Sequence, residues 1–143
     1  MHEVKSEPKV QFFATAGYGE MLLAERHYHQ AVRIGDRVET SGQGGWDDDL
    51  NFPESLRDEI VRAFDNVERT LATAGAAWRD VVHVNTYHVL TVDADFATHN
   101  AVVIDQLRTR APERAPLWTE TGVTALGAPE MRFEIRVTAV IEN

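Results

Sequence analysis

The segment from residue 131 to residue 141 alternates apolar and polar side chains more regularly than the rest of this 143-residue chain. Because successive side chains of a β-strand point to opposite faces, this alternation predicts a strand with one buried face. The opposite face carries Glu134 between Arg132 and Arg136. A strand of this kind needs helices over its apolar face, which already favours a layered fold of helices and sheet.

Two segments have helical spacing, and five further runs are typical of strands. Leu56, Ile60, Phe64, Val67 and Leu71 recur every three or four residues, which predicts a helix that starts near Pro53 and ends at Gly75. A second predicted helix is capped by Asp93 or Asp95 and carries Phe96, Val103 and Leu107. The other predicted strands span residues 10–14, 28–34, 38–42, 81–90 and 117–124. Their order predicts an α+β fold in which two helices pack on one face of a mixed sheet. Residues 10–143 form one domain in this interpretation, and residues 1–9 form a flexible tail.

Composition excludes several classes of chemistry and partner. The chain has no cysteine, and its lysines are Lys5 and Lys9, so thiolate nucleophiles, cysteine zinc sites and a Schiff-base lysine in the body of the domain are excluded. A net charge of −9 argues against a nucleic-acid partner. No apolar run exceeds four residues and residues 1–10 hold no apolar signal-peptide core, so we expect a cytoplasmic protein that does not span a membrane.

A series of short motifs, in this order, resembles the Rid (YjgF) family. They are residues 28–32 (YHQAV) with Gly35-Asp36, Ser41-Gly42-Gln43, Asn66-Val67, Ala74-Gly75, residues 80–82 (DVV), Asp95-Phe96, Asn100, Pro116, Val123, Leu126, residues 133–135 (FEI) and Ala139-Val140. The resemblance covers most of the chain, from about residue 28 to residue 140. It implies a chorismate-mutase-like α+β fold assembled as a homotrimer with three clefts between subunits. It also implies hydrolysis of reactive imines and enamines without a metal or an organic cofactor.

The resemblance assigns roles to individual residues. Tyr28 matches the family's tyrosine, and Ser41 and Gly42 match its substrate-binding loop. Asn100 matches the family's asparagine, and Glu134 matches the acid that positions water. The family's carboxylate-binding arginine has no counterpart, because its position holds Trp118. Arg132 or Arg26 could supply the missing guanidinium from elsewhere. Trp46 and Glu120 complete the set of predicted substrate-binding residues.

Each of these residues also has a structural interpretation. Glu134 is suited to deliver water and move protons in imine hydrolysis, or it could form a surface ion pair with Arg132 or Arg136. Trp118 could form an apolar wall that disfavours anionic substrates, or it could only fill space between subunits. Tyr28 could contact a ligand or lie at the rim of the sheet. No metal site is predicted, because His27 and His29 have no third ligand.

The sequence therefore predicts a cofactor-free hydrolase or deaminase. Its substrate would be a small imine or enamine that is aromatic or does not depend on a carboxylate. A non-catalytic homotrimer that binds small molecules or acts as a scaffold is the alternative. Ribonuclease activity is disfavoured by the acidic charge balance.

Overall fold

The computed structural model describes residues 8–142, so residues 1–7 of the predicted tail lie outside the described part. The elements follow in the order β1 (Val10–Phe13), α1 (Tyr18–Arg26), β2 (Ala31–Ile34), β3 (Arg37–Thr40), α2 (Leu56–Thr73), β4 (Val81–Val89), α3 (Phe96–Arg110), β5 (Leu117–Val123) and β6 (Phe133–Val140). A short 3-10 turn, Trp78–Asp80, leads into β4.

The strands form one six-stranded sheet in the order β1-β2-β3-β6-β4-β5. Only the β4–β5 pair is parallel among these described strands, and the other pairs are antiparallel. The sheet is therefore mixed, and the predicted α+β class is confirmed.

Strand β6 lies near the middle of the sheet and divides its two faces. Phe133, Ile135 and Val137 are fully buried in one core with residues of α2 and α3, such as Phe64 and Val103. The alternating residues Glu134, Arg136 and Thr138 face the other side, where neither α2 nor α3 packs. The sequence pattern thus predicted both the strand and the direction of its side chains.

Several predicted boundaries need correction. The chain has a third helix, α1, where the sequence analysis assigned no element. Its apolar residues do not follow the spacing of a single face, and only Tyr18, Gly19 and Leu22 are buried. Strand β2 begins at Ala31 rather than at Tyr28. Helix α2 begins at Leu56, because the Ser55 hydroxyl accepts a hydrogen bond from the Asp58 amide as an N-cap.

The second predicted helix is resolved in favour of one cap. Asp95 accepts a hydrogen bond from the backbone N–H of Thr98 at 3.0 Å, and α3 starts at Phe96, directly after this cap.

Within residues 8–142, no helix is both long and apolar enough to pass through a membrane.

A buried carboxylate joins α2 to the start of β6. Glu59 is completely buried and accepts hydrogen bonds from the backbone N–H groups of Arg132 (2.7 Å) and Phe133 (3.2 Å). The Arg132 guanidinium donates a further bond to Glu59 at 2.8 Å. Since a buried charge is tolerated only when it is paired and fully hydrogen-bonded, these contacts fix the helix relative to the strand.

We expect Glu59→Gln to lower the free energy of unfolding by about 3 kcal/mol, because at this fully buried position the neutral amide loses the ion pair with Arg132 and replaces one of the acceptor oxygens by a donor. Urea denaturation of the two proteins measures this difference. Glu68→Gln, on the same helix, is the matched control, since its side chain is 61% exposed. A loss for Glu59→Gln no larger than that of Glu68→Gln would contradict this role.

Candidate functional site

A cavity of about 270 Å³ opens beside the first residues of β6. We call it the Glu134 pocket, and its lining residues are Leu22, Arg26, Tyr28, Gly42, Trp46, Leu50, Phe52, Gly127, Ala128, Met131 and Glu134. Its walls are mostly apolar, with few polar side chains, which is the usual composition of a small-molecule site.

The loop that follows β3 forms one wall of this pocket. Gln43 and Ile135 exchange two backbone hydrogen bonds, of 2.7 and 3.0 Å, so the loop runs directly alongside β6. Asn66 of α2 donates to the carbonyl oxygens of Gly44 (2.8 Å) and Trp46 (2.9 Å) and holds the rest of the loop. The position of this wall is therefore set by the sheet and by α2 together.

Gly42 lies so close to Glu134 that a larger residue at position 42 would displace the Glu134 carboxyl group. A Cβ atom at residue 42 would lie 2.5 Å from the Glu134 carboxyl carbon. The Glu134 carboxyl group thus packs over the α-carbon of Gly42, in a place that a larger residue would occupy.

Within residues 8–142, Glu134 has no arginine partner, although it stands between two arginines in the sequence. Arg132 is paired with Glu59. Arg136 is paired with Glu39 at 2.5 Å and donates to the Asn85 amide oxygen at 2.8 Å. The structure therefore contains neither of the surface ion pairs that the sequence allowed for Glu134.

Burial raises the pKa of Glu134 above the ordinary range of a glutamate. Within the described residues, no charged partner offsets this desolvation. A half-buried carboxyl group with a raised pKa can accept a proton from water and return it at nearby pH values, as general acid–base catalysis requires.

Aromatic rings form the apolar side of the pocket. Trp46 meets Phe52 edge-on, with ring centroids 6.3 Å apart, and it meets the buried Tyr18 ring at 5.7 Å. The indole N–H of Trp46 is buried and has no partner among the described residues. Arg26 is the sole basic residue among the residues that line the pocket, and it is exposed.

A second set of side chains lies at the β4–β5 edge of the sheet, and we call it the edge group: Thr86, His88, Asn100, Trp118 and Glu120. The Trp118 indole N–H donates to the Thr86 hydroxyl at 2.9 Å, and this hydroxyl lies 2.7 Å from His88 Nε2. The Asn100 amide donates to Glu120 at 3.0 Å. The second carboxylate oxygen of Glu120 lies 3.5 Å from His88 Nε2.

His88 is fully buried and contacts a second buried histidine, His99, with 2.9 Å between their Nδ1 atoms. Burial, followed by the proximity of His99, lowers the pKa of His88 to about 4. Burial, followed by the charge of Arg132, also lowers the pKa of His99. Both imidazoles are therefore neutral at pH 7, and they act as hydrogen-bonding groups rather than as cations.

The sheet register places the edge group and Glu134 on opposite faces. Thr86 pairs with Ile135 of β6 on one side and with Glu120 of β5 on the other, so these three side chains share the core-facing side. Glu134, next to Ile135 in sequence, points the other way. A single chain thus brings four of the predicted site residues together in the pocket: Tyr28, Gly42, Trp46 and Glu134. Three others lie together in the edge group: Asn100, Trp118 and Glu120.

Ser41 belongs to neither group. Its hydroxyl donates to the His29 carbonyl oxygen at 2.6 Å, and it lines a neighbouring shallow cavity with Phe12 and Glu39. Among the described residues, no cluster of three or more histidine, aspartate and glutamate side chains could hold a metal ion.

Neither the contribution of α1 nor the buried polar network behind the loop was predicted from the sequence. Leu22 and Arg26 of α1 line the pocket. The Tyr18 hydroxyl donates to the Gln43 side chain at 2.7 Å and lies 3.0 Å from the Thr70 hydroxyl. The sequence held one local signal for α1, a glutamate three residues after Gly17. In the structure the Gly17 amide donates a hydrogen bond to this Glu20 side chain at the start of the helix.

We expect Gly42→Ala to displace the Glu134 carboxyl group toward water and to return its pKa toward the ordinary range. The carboxyl ¹³C chemical shift of Glu134, followed against pH, measures this change. Gly127→Ala in the same pocket is the control, because a Cβ there meets no atom within 4 Å and should leave the Glu134 pKa unchanged. An unchanged Glu134 titration in Gly42→Ala would contradict the close packing.

Comparison with known proteins places this chain in a family. Residues 19–141 match the family model described as Endoribonuclease L-PSP. The RutC family protein YjgH of Escherichia coli is 34% identical over 84% of this chain and 87% of its own length. A 2-iminobutanoate/2-iminopropanoate deaminase of Dermatophagoides farinae is 33% identical over 80% of this chain and 86% of its own length. A solved structure of a protein named YjgH has a TM-score of 0.78 and 31% identity, and the match covers 95% of this chain and 99% of that one. The chain therefore belongs to the Endoribonuclease L-PSP family, which is the Rid (YjgF) family that its motifs resemble.

Proposed function

We propose that the protein is a cofactor-free hydrolase that converts a small imine or enamine into the corresponding carbonyl compound and ammonia. One observation carries this proposal: a half-buried carboxyl group without an ionic partner, Glu134, lies at an apolar pocket directly over a glycine. A relative that is named a deaminase of imino acids supports the same reaction class.

In this mechanism Glu134 accepts a proton from a water molecule as the water oxygen attacks the sp² carbon. The imine nitrogen is protonated before this attack, so the product is a neutral carbinolamine. Glu134 then returns the proton to the nitrogen, and the C–N bond breaks with release of ammonia. The hydroxyl proton is lost to water, which leaves the carbonyl compound and replaces the proton first taken up by the imine. Tyr28 would orient the ligand from the pocket rim, and Trp46 would pack against its apolar part. An enamine would first take up a proton on carbon to become the imine.

The proposed site is a cleft between subunits of a homotrimer. Glu134, Tyr28, Ser41 and Gly42 would come from one subunit, and the edge group would come from its neighbour. The opposite sheet faces of Glu134 and Glu120 within one chain support this division. The ligand in this proposal is a small molecule and not a nucleic acid, in keeping with the net charge of −9.

The preferred substrate in this proposal is aromatic and does not depend on a carboxylate. Position 118 offers a substrate no guanidinium, and the Trp118 indole N–H is already bonded to Thr86. Of the two arginines considered as replacements, Arg132 is paired with Glu59, and Arg26 lines the Glu134 pocket rather than the edge group. The same features also suit a binding protein without catalysis, which is the second candidate.

We expect Glu134→Gln to reduce the enzyme-dependent hydrolysis of phenylmethanimine at least about 100-fold, since the amide cannot accept a proton from water. An amine oxidase acting on benzylamine generates this imine, and trapping with semicarbazide measures its decay. Glu130→Gln, an exposed glutamate nearby, is the control and should retain the rate. Ligand binding without any acceleration by the wild type would favour the non-catalytic candidate.

The raised pKa of Glu134 predicts two pH effects of opposite sign, one on the hydrolysis rate and one on folding stability, and Glu134→Gln should remove both. The wild-type rate should fall as the pH drops through that raised pKa, and Glu134→Gln should lack this dependence. Folding stability should fall as the pH rises, because a carboxyl group with a raised pKa destabilises the fold once it ionises. Glu134→Gln should therefore unfold at a higher temperature than the wild type at pH 8, and this advantage should vanish below the ordinary glutamate pKa.

We expect Trp118→Arg to shift the substrate preference toward imines that carry a carboxylate, because it restores a guanidinium at the edge group. The ratio of rates for the imino acid of phenylalanine and for phenylmethanimine measures the shift. Leu117→Arg is the control, because it adds the same charge at the adjacent residue, on the opposite face of the sheet. Leu117 is 69% exposed, and this variant should leave the ratio unchanged.

A further inference from the structure

Glu120 carries a negative charge that no basic side chain of the described residues pairs with. One carboxylate oxygen accepts a bond from the Asn100 amide, and the other lies 3.5 Å from His88 Nε2. The amide is neutral, and the low pKa of His88, about 4, keeps that imidazole neutral too. The two partners orient the carboxylate and leave its charge uncompensated.

The carboxylate is both fixed and reachable. Glu120 lies on β5 opposite Thr86 of β4, and Asn100 reaches it from α3, so three elements determine its position. Its side chain is 31% exposed. A charge that is already oriented costs little further ordering when a ligand binds.

One atom beside Glu120 that lacks a partner among the described residues is a hydrogen-bond acceptor. The Asn100 side-chain oxygen is buried and has no partner among the described residues. The indole N–H of Trp118, the nearby donor, is bonded to Thr86. The group that a ligand meets at this edge is therefore the Glu120 carboxylate, whose charge suits a cation with N–H groups.

We propose that Glu120, oriented by Asn100, binds a positively charged nitrogen group and makes the preferred ligand a cation rather than an anion. This inference rests on the proposed function, in which Glu120 belongs to the ligand cleft. The cationic form of the substrate is the iminium ion, with carbon doubly bonded to an NH2+ group. Its reaction with one water gives the carbonyl compound and an ammonium ion, with charge and protons balanced. A carboxylate beside the nitrogen favours that protonated, more electrophilic form.

Three ligands of nearly equal shape test the proposal: benzylammonium, benzyl alcohol and benzoate. Calorimetric titration of the full chain at pH 7.5 and fixed ionic strength should show that benzylammonium binds about tenfold tighter than benzyl alcohol, with benzoate weakest. Glu120→Gln should remove this preference. Glu113→Gln makes the same charge change at an exposed glutamate outside the site and should keep it.

Four outcomes would overturn the proposal. The first is no measurable binding of benzylammonium. The second is a preference that survives in Glu120→Gln but disappears in Glu134→Gln, which would place the cation in the Glu134 pocket. The third is a preference for benzoate that Arg26→Gln removes. The fourth is a smaller assembly for Glu120→Gln by light scattering but not for Glu113→Gln, which would make Glu120 a subunit contact.

The same measurements separate this inference from the proposed function. A cation preference that depends on Glu120, without imine hydrolysis, would retain the subsite and reject the enzyme. Hydrolysis that depends on Glu134, without a charge preference at Glu120, would retain the enzyme and reject the subsite.

Discussion

The position of the whole site depends on one buried carboxylate, that of Glu59. It accepts two backbone N–H groups at the start of β6 and the guanidinium of Arg132, and so ties α2 to the strand that carries Glu134. The loop beside it approaches the same helix closely, since a Cβ at Gly45 would lie 2.2 Å from the Glu59 carbonyl oxygen. Helix, loop and strand therefore meet at one point. A buried charge with three donors holds that point in a single geometry, because any shift would leave a donor or the charge unpaired.

This anchor has a direct consequence for the chemistry of Glu134. The two arginines that flank Glu134 in sequence are bound to other acids, Arg132 to Glu59 and Arg136 to Glu39. Each pair stabilises the sheet or its contact with α2, and each removes a possible partner from Glu134. The raised pKa of that residue thus follows from how the fold assigns its ion pairs. The cost in stability falls on a carboxyl group that lies at the pocket, and strongly perturbed carboxyl groups are common at functional sites.

The sequence predicted what depends on periodicity and missed what depends on tertiary partners. Alternation around Glu134 predicted β6 and its two faces, and spacing around Phe64 predicted α2. Helix α1 was missed because its burial relies on Tyr18 and Leu22 alone and not on a continuous apolar face. The burial of Glu59 could not be predicted from the residues around it, since its donors lie more than seventy residues away in sequence. The direction of the Trp118 indole could not be predicted either, because it depends on a hydrogen bond to the neighbouring strand.

The hydrogen bond from the Trp118 indole to Thr86 determines which groups the edge of the sheet presents at this position. Trp118 packs against the core and donates to Thr86, whose hydroxyl also meets His88, and His88 lies beside Glu120. An arginine directed toward a ligand from this position would leave Thr86 without the indole donor and would set a cation near Glu120. In the proposed cleft, Trp118 would therefore do more than replace an anion-binding group. The edge of the sheet would carry a fixed negative charge, that of Glu120, without a basic partner among the described residues, and the electrostatic preference at this position would be reversed rather than lost.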